Sequence, residues 1–600
     1  MNQRESRKCQ NCQQEFWIES EDFQFYEKIK VPAPRWCPEC RLERRMTFRN
    51  ERILYWRKCD APGHDENMLC LFSPDNPQRV YDQTFWWGDE WDPMIYGKRI
   101  DFIRPFFTQL QELWREVPDV ALMNQRGVNS EYCSITEGNK NCYLVIGGDF
   151  NEDTLYSAFI FNSKRCMDCY WVSKSEMNYE TVDCISCNKL FWGRYCEGCY
   201  DSMFLFNCKN CHDCFGCTNL FNKSYCIFNR QYTKEEYQRK VEELIPKGYR
   251  ALSEIKKKFQ EESFKYPRRF ARIIRSSNSS GDNLEGAKNC NRCFEVFGGA
   301  EDCGYLWLIY SSVKDCFDCD HSGLNTELVV DSSTVYPGNR VYFCRFVRSC
   351  HDIQYSYNCH DSSYLFGCIG LRNKQYCILN RQYTKEEYES LVPKIIGHMN
   401  STPYADRGGR QYKYGEFFPS EISPFCYNET VAAELNPLSK DEILSRGYRW
   451  HEIVEKHYNI TKPPENLPDM IGDVSDDITK EVIGCAHGGK CNHQCATAFR
   501  IVPEELEFYR RFNIPLPHLC SNCRHYERLA QRNPLKLWHR KCMCQGKESG
   551  TKNQESGNIY QNTIAHFHGD QPCPNEFKTS YAPERKEIVY CESCYNSEVV

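Results

Sequence analysis

The residues KSYCIFNRQYTKEEY, from Lys223 to Tyr237, return as KQYCILNRQYTKEEY from Lys374 to Tyr388, with thirteen of fifteen positions identical. The separation of 151 residues also aligns Cys142 with Cys293, Gly147 and Gly148 with Gly298 and Gly299, Cys199 with Cys350, Cys208 with Cys359, and Cys217 with Cys368. The chain therefore contains a duplicated segment of about 150 residues, which is the size of a domain or half-domain.

The repeated stretch ends with the sequence pattern of a helix N-terminus. Thr233 with Glu236, and Thr384 with Glu387, form the Thr-x-x-Glu pattern of a capping box. Before it, short aromatic and branched clusters such as NCYLVIGG and CYDSMFLF recur every ten to fifteen residues between polar turns. This pattern predicts either a β-solenoid or an irregular β-sandwich, and recurring cysteine and asparagine favour the solenoid because they would form ladders. Ile103 to Trp114 show the apolar spacing of an amphipathic helix.

Cysteine usage bears on the compartment and on metal. The chain has 600 residues, 40 cysteines and a net charge of −6, and it begins with the polar stretch MNQRESRKCQNC. No apolar stretch has the length of a signal peptide or a membrane span, so we expect a cytoplasmic protein with reduced thiols and no membrane partner. Frequent C-x2-C pairs favour metal binding over a disulfide framework.

The N-terminal region predicts a four-cysteine zinc ribbon. Cys9-x2-Cys12 and Cys37-Pro-Glu-Cys40 have the spacing of two metal knuckles around a hairpin, followed by a basic, treble-clef-like helix, RLERRMTFRNERIL. A second copy lies 483 residues further on and predicts the ligands Cys491, Cys495, Cys520 and Cys523. Four thiolates leave no open position on a tetrahedral ion, so both sites are expected to be structural.

A third module is predicted in the last sixty residues. Its expected ligands are Cys573, Cys591 and Cys594 with either Cys542 or Cys544, while His566 and His568 are competing candidates or parts of a solvated loop. Its N-terminal counterpart is degenerate, because VYDQTF at 80–85 aligns with VYCESC at 589–594. Asp82 and Phe85 thus stand at cysteine positions, although Cys59, His64 and Cys70 remain.

These observations predict a mainly β protein with helices, in which a duplicated cysteine-rich core is flanked by small zinc modules. The expected organisation is a zinc ribbon at 1–58, a degenerate module at 59–100, repeat units at 101–248 and 249–398, a connector at 399–484, a second zinc ribbon at 485–541 and a last ribbon-like module at 542–600.

The run Cys208, Cys211, Cys214 and Cys217 has the spacing C-x2-C-x2-C-x2-C. The bacterial ferredoxin pattern needs a longer last gap and a following proline, and the duplicate keeps only Cys359 and Cys368, so an iron–sulfur cluster is disfavoured. A local zinc site and buried structural thiols are the alternatives. No P-loop, dinucleotide-binding glycines or nucleophile elbow is present, and no catalytic residue is predicted.

Two basic tracts adjoin the ribbon cysteines. Arginines that could track phosphates from a helix are Arg41, Arg44, Arg45, Arg49 and Arg52 in the first tract and Arg524, Arg528 and Arg532 in the second. The competing interpretation is a helix face whose arginines pair with acidic patches of the repeat core. The expected partner is accordingly either a nucleic acid or an unknown protein.

The signatures CQNCQQEFWIESEDFQFYEKIKVPAPRWCPECR and CATAFRIVPEELEFYRRFNIPLPHLCSNCR resemble the zinc-ribbon domain of many bacterial proteins. With YGEFFP at Tyr414, GYRW at Gly447 and SYAPERKEIVYCESCY near the end, nearly the whole chain resembles a cysteine-rich family of candidate-phyla-radiation bacteria for which no activity is established. The resemblance implies zinc ribbons at both ends and a cytoplasmic setting.

Together these expectations describe a non-enzymatic scaffold with two to three zinc ions, which contacts nucleic acid or a nucleic-acid-bound partner through its basic helices. The alternative is a redox or metal-handling protein that uses the Cys208–Cys217 run.

Overall fold

The computed structural model describes residues 4–452, 458–547, 549–553 and 557–599. The predicted connector is thus described without 453–457, and the last module without 548, 554–556 and 600. The fold is mainly β with helices. The chain divides into two compact units: unit 1 contains Met1–Leu122, Ala271–Glu452 and Leu535–Leu537, and unit 2 contains Met123–Phe270, Ile453–Pro534 and Trp538–Val600. Each unit therefore joins one end of the chain to one repeat, with divisions at 122/123 and 270/271 where the sequence suggests 100/101 and 248/249.

Unit 1 is built around one large sheet, here called sheet 1. The strands of sheet 1 are Ile273–Ile274, Gly281–Glu285, Ala287–Lys288, Cys293–Val296, Ala300–Glu301, Trp307–Ile309, Val313–Ser322, Thr326–Tyr342, Arg345–Gln354, Tyr357–His360, Ser363–Phe366, Gln375–Ile378 and Arg381–Gln382. Its other strands are Glu5–Lys8, Glu15–Ile18, Tyr55–Lys58, Asn67–Cys70, Val80–Tyr81, Asp119–Val120, Tyr404–Ala405 and Gln411–Tyr412. Its helices are Ser20–Ile29, Pro38–Met46, Gln83–Trp87, Phe106–Glu116, Lys385–Ser401, Val431–Leu435 and Lys440–Ser445, with 3-10 turns at Pro93–Tyr96, Ser420–Ile422 and Tyr427–Glu429.

Unit 2 contains the corresponding sheet 2. The strands of sheet 2 are Ala158–Phe161, Tyr170–Ser173, Val182–Ile185, Asn188–Arg194, Tyr200–Phe206, His212–Phe215, Ser224–Ile227 and Arg230–Gln231. The remaining strands are Asn124–Gln125, Thr136–Glu137, Arg268–Arg269, Ile483–Gly484, Ala498–Phe499, Trp538–Lys541, Thr551–Lys552, Ile559–Tyr560, Glu576–Thr579 and Val589–Tyr590. The helices are Lys234–Leu244, Tyr249–Ser263, Pro503–Phe512, Ser521–Leu529 and Glu592–Val599, with 3-10 turns at Pro464–Asn466, Ile471–Asp473 and Asp476–Lys480.

Neighbouring strands of sheet 2 are parallel and follow one another in sequence, except for the antiparallel last strand. Partners lie twelve residues apart, as in Tyr170 with Val182 and Cys214 with Cys226. Single bridges between the strands keep the same separation. Sheet 1 also pairs its strands in parallel, except for its antiparallel last strand, and its parallel partners lie eleven to thirteen residues apart. The chain thus returns to the same register about every twelve residues.

The backbone conformation of the region that contains sheet 2 repeats every three residues. Every third residue from Ile135 to Phe228 has a positive φ, between 44° and 69°. Left-handed backbone costs an L-residue about 1–2 kcal/mol, and asparagine and aspartate tolerate it best. Asparagines at these positions stack twelve residues apart through their side-chain amides, as Asn129 does with Asn141 and Asn207 with Asn219. The asparagine ladder expected from the sequence is present.

The interior of sheet 2 follows the same period. Its buried cluster contains Cys133, Cys142, Val145, Ile160, Cys166, Cys169, Val172, Cys184, Cys187, Leu190, Cys196, Cys199, Leu205, Cys208, Cys211, Cys214, Cys217 and Cys226. All of these positions differ by multiples of three. Polar side chains at the inward positions form hydrogen bonds with nearby backbone. Ser157 Oγ donates to the Leu155 carbonyl, and Cys142 Sγ donates to the Lys140 carbonyl, in each case two residues earlier in the chain. Inward positions therefore select small residues.

The helices that follow the two sheets are capped as predicted. Thr233 and Glu236 satisfy each other's backbone N–H groups at the start of Lys234–Leu244, and Thr384 and Glu387 do so before Lys385–Ser401. The predicted amphipathic helix is confirmed at Phe106–Glu116, where it buries Phe106, Leu110 and Trp114 among other residues. Among the described residues, no helix combines the length and apolar character needed to cross a membrane.

Candidate metal centres

Four small modules share one local plan. Each has an antiparallel hairpin, a cysteine directly after the first strand of that hairpin, and a helix after the hairpin; in the first, third and fourth modules the start of this helix carries further cysteines. The first module spans 5–46, the second 55–87, the third 483–529 and the fourth 538–599. The cysteines after the first strands are Cys9, Cys59, Cys485 and Cys542. In every module this sulfur accepts a backbone N–H from the residue just before the helix, namely Cys37, Asp82, Cys520 or Cys591.

The first module brings together the four predicted cysteines. Cys9, Cys12, Cys37 and Cys40 have their sulfur atoms within 4.8 Å of one another, and the Sγ atoms of Cys12 and Cys37 are 3.8 Å apart. Cys37 is the N-cap of the helix Pro38–Met46, so the thiolates face a helix N-terminus. The positive end of the helix dipole favours the thiolate form that metal binding requires.

The third module contains a four-sulfur group that differs from the predicted ligand set by one cysteine. Its four-sulfur group is Cys485, Cys495, Cys520 and Cys523, and Cys485 takes the place predicted for Cys491. The Cys520 N–H donates to Cys485 Sγ just as the Cys37 N–H donates to Cys9 Sγ. Nine residues separate Cys485 from Cys495, where two separate Cys9 from Cys12, so a search for a C-x2-C-like pair selects Cys491 and misses Cys485. The signal that could have found it is the position of Cys485 directly after the strand Ile483–Gly484.

The fourth module places the two alternative cysteines, Cys542 and Cys544, in different groups. Cys542, Cys573, Cys591 and Cys594 form its four-sulfur group, and the Cys573 sulfur lies 3.8 Å from that of Cys591 and 3.6 Å from that of Cys594. Cys544 belongs to a neighbouring group with His566, His568 and Cys594. His566 is buried, which differs from the solvated loop considered from the sequence.

In the second module, side chains that replace ligands have structural roles. Asp82 caps the helix Gln83–Trp87 by accepting the N–H groups of Thr84 and Phe85, and its carboxylate lies 2.9 Å from His64 Nδ1. Phe85, which stands where the fourth module has Cys594, packs edge-on against His64. Its ring has no donor atom for a metal. With Asp82 and Phe85 at two cysteine positions, this module lacks at least two of the four thiolates.

The sulfur separations fit a tetrahedral thiolate site. Zinc–sulfur bonds of about 2.3 Å in a tetrahedron place sulfur atoms roughly 3.8 Å apart. The measured 3.6–3.8 Å separations match this value. All forty cysteines are free thiols. These three groups could each hold a metal ion, and four protein thiolates would leave it no open coordination position.

Four of the five predicted phosphate-contacting arginines of unit 1 are buried, and the fifth, Arg52, is partly buried. Arg41, Arg44, Arg45 and Arg49 are at most 2% exposed. Arg45 lies 2.7 Å from both Asp320 and Asp331, and Arg44 lies 2.8 Å from Asp331. Burial lowers the pKa of Arg45, the nearby carboxylates raise it, and the net shift is above its usual value. These guanidinium groups fasten the helix Pro38–Met46 to sheet 1.

Unit 2 has a similar docking. Asp168, between the strands Ala158–Phe161 and Tyr170–Ser173, lies 3.0 Å from Arg524 and 2.7 Å from Arg528, as Asp318 on sheet 1 lies 2.9 Å from Arg41 and 3.7 Å from Arg45. Corresponding tyrosines also bind carboxylates of each module, since Tyr156 donates to Glu505 and Tyr305 to Asp22.

The predicted nucleic-acid role does not fit this placement. Arg524 and Arg528 are 6% and 2% exposed, and the partly buried Arg532 donates to the Tyr170 hydroxyl. Helix faces that could track phosphates would have to be open to solvent. The competing interpretation, pairing with acidic residues of the repeat core, describes these arginines.

The Cys208–Cys217 run is explained by the three-residue period of sheet 2. All four thiols are buried, and Cys208 Sγ donates to the Phe206 carbonyl while Cys217 Sγ donates to the Phe215 carbonyl. The equivalent thiols of sheet 1 are Cys359 and Cys368, and burial raises the pKa of both well above its usual value. Such thiols stay protonated near neutral pH and are poor nucleophiles.

No protein-family model matches the chain, and the search of curated proteins finds no match either.

Proposed function

We propose that this protein is a non-enzymatic scaffold whose first, third and fourth modules each hold a structural zinc ion. The observation that carries this proposal is the recurrence of one closed four-sulfur group in three modules, with the same N–H to sulfur hydrogen bond. All-thiolate coordination selects zinc over harder cations, and a closed tetrahedral site stabilises a fold without activating water.

The zinc modules would serve to hold the repeat core in shape. In unit 1 the helix Pro38–Met46 begins at Cys37 and carries the arginines that pair with Asp318, Asp320 and Asp331. In unit 2 the helix Ser521–Leu529 begins at Cys520 and carries Arg524 and Arg528. A metal at the start of each helix would fix the helix, and therefore its guanidinium groups, over the buried carboxylates.

For the core we propose a β-solenoid with coils of about twelve residues. The constant strand separation, the positive φ at every third residue and the inward small side chains support it. A regular coil of this kind presents a long, rigid surface, which suits a scaffold.

The two other functions receive less support. Nucleic-acid contact would need arginines that are instead buried in ion pairs. Redox chemistry would need accessible thiols, whereas all four thiols of the Cys208–Cys217 run are buried. We therefore retain the scaffold and not its predicted nucleic-acid contact.

Metal analysis tests the proposal. Protein purified without oxygen or added metal should be colourless and contain zinc but no iron. Cys40→Ser should lose one zinc ion per chain, because it removes a ligand from the first module, while the matched variant Cys133→Ser, in the interior of sheet 2, should lose none. A metal-free folded protein, or equal losses in both variants, would refute the proposal.

A further inference from the structure

The third and fourth modules contain additional metal-ligating side chains that the four-sulfur groups do not use. In the third module, His487, Cys491 and His493 gather around Cys523. In the fourth module, Cys544, His566 and His568 gather around Cys594. In both cases the new group consists of one cysteine and two histidines, and its fourth member is the last cysteine of the C-x2-C pair.

We propose that each of these modules holds a second zinc ion, bridged to the first by the thiolate of Cys523 or Cys594. The proposal rests on the proposed function, because the shared cysteine must already bind zinc in its four-sulfur group. It changes two mononuclear sites into two dinuclear ones.

The fourth module has the orientation that metal-bound histidines need. Nδ1 of His566 lies 3.2 Å from Cys544 Sγ, and its other nitrogen, Nε2, lies 3.0 Å from the Glu598 carboxylate. Nε2 of His568 lies 3.3 Å from Cys594 Sγ, while its Nδ1 lies 2.6 Å from the Gln571 carbonyl. Each ring thus has an acceptor for the N–H on one nitrogen and directs the other nitrogen towards a sulfur. A carboxylate or carbonyl behind a histidine is the usual outer support of a zinc ligand.

The third module provides independent evidence. Nδ1 atoms of His487 and His493 are both buried and have no hydrogen-bond partner. A buried ring nitrogen without a partner is costly, so such an atom calls for an unseen ligand. Cys491 Sγ, which the sequence assigns to the four-sulfur group, lies 3.7 Å from Cys523 Sγ, the spacing expected for two thiolates on one zinc ion.

The length of the chain between the first two ligands explains how the third and fourth modules can carry extra ligands. Two residues separate the first two ligands of the first module, Cys9 and Cys12. The corresponding insertions are 486–494 in the third module and 543–572 in the fourth, and each insertion carries the whole additional Cys–His–His set. In the first module, Asn11 instead donates an N–H to Cys40, the cysteine equivalent to Cys523 and Cys594.

Electrostatics favours the pair over a lone ion. One zinc ion with four thiolates has an excess of negative charge in a largely buried site. A second zinc ion with one further thiolate and two neutral imidazoles reduces that excess. Bridging by Cys594 would also draw the insertion, which contains the short strands Thr551–Lys552 and Ile559–Tyr560, onto the helix Glu592–Val599.

The test compares zinc per chain in variants of the full-length protein. His566→Ala with His568→Ala should remove one zinc ion, and His487→Ala with His493→Ala should remove another. His539→Ala, at an exposed histidine of the fourth module, is the matched control and should remove none. If the histidine variants keep the zinc content of the wild type, the proposal is wrong. If Cys40→Ser also loses no zinc, the proposed function fails, so the two failures are distinguishable.

Cadmium NMR tests the bridge itself. In protein loaded with ¹¹³Cd²⁺, two cadmium signals should both correlate with the β-protons of Cys594, and one of them should vanish in the His566→Ala and His568→Ala variant. Two signals in the fourth module without a shared cysteine would overturn the bridging thiolate. Circular dichroism shows whether the double histidine variant has failed to fold. If it has, the variant His566→Cys, which keeps a metal ligand at this position, should contain the ion that the double variant lost. If His566→Cys also lacks that ion, the proposal fails.

Discussion

Removing the charge of Asp168 should release the third module from sheet 2. Asp168 is fully buried and binds both Arg524, at 3.0 Å, and Arg528, at 2.7 Å. In Asp168→Asn, Arg524 keeps Glu505 at 3.2 Å, but Arg528 keeps only the Tyr156 carbonyl. One guanidinium thus remains buried without a carboxylate.

The expected cost follows from that single unpaired charge. Breaking a buried ion pair by removing one partner costs about 3–5 kcal/mol, because the remaining charge is desolvated and uncompensated. At about 1.4 kcal/mol for each factor of ten, the lower value corresponds to a roughly 150-fold increase in local opening. Asparagine preserves the volume of the side chain, so a packing defect contributes little.

Hydrogen exchange measures this opening without assuming that the whole chain unfolds in one step. Amides of the helix Ser521–Leu529 should exchange about two orders of magnitude faster in Asp168→Asn than in the wild type. Asp476→Asn is the control in unit 2, since it breaks the exposed ion pair with Arg510 and should change exchange of that helix little. Equal effects of the two substitutions would refute the structural role assigned to the arginines.

Three further predictions concern the thiols. Chelation of zinc under reducing conditions should accelerate exchange in Pro38–Met46 and Ser521–Leu529 while the strands of sheet 2 stay protected; early loss of the strands would contradict this. Burial raises the pKa of Cys350 to about 12, so the protonated thiol is favoured in the folded state. Its full contribution to stability is present at pH values below the ordinary thiol pKa and is lost as the pH rises towards 12. Denaturant titrations at increasing pH should therefore show a larger loss of stability in the wild type than in Cys350→Ser. Equal losses in the two proteins would contradict this prediction. Cys359→Ser should be tolerated, since Ser356 fills an equivalent inward position, whereas Cys359→Phe should cost about 1–3 kcal/mol or more by overpacking, as thermal unfolding would report.

Much of the fold could be predicted from local patterns. The capping boxes at Thr233 and Thr384 involve two residues only three positions apart in the sequence, and the structure confirms both. Strand recurrence indicates a mainly β core because the alternation of apolar clusters and polar turns is itself local. The pairing of each end of the chain with one repeat depends on contacts such as Arg45 with Asp331, which span hundreds of residues. Nothing local specifies such a partner, so the sequence pattern alone suggests that the basic helices are open surfaces.

The cysteines that lie together match the predicted set where the module is short and differ from it where an insertion interrupts the module. Cys9, Cys12, Cys37 and Cys40 are brought together as predicted. Cys485 escapes prediction because an insertion separates it from Cys495. Its position after a strand, shared with Cys9 and Cys542, would identify it, but such short strands are weak signals in a sequence.

The C-x2-C spacing has two unrelated physical origins in this chain. At Cys37 and Cys40, or Cys520 and Cys523, it reflects the first turn of a helix, which places both sulfur atoms on one side of the helix start. At Cys208 and Cys211 it reflects a three-residue backbone period that directs every third side chain inward. The two cases differ in what surrounds them. Around the inward cysteines, every third position is also occupied by a small or branched residue, as at Val145, Asn151, Thr154 and Ser157. The cysteines of the metal modules are not part of such a three-residue series. The period of the small residues around a C-x2-C pair therefore separates a metal ligand from a core thiol in the amino-acid sequence itself.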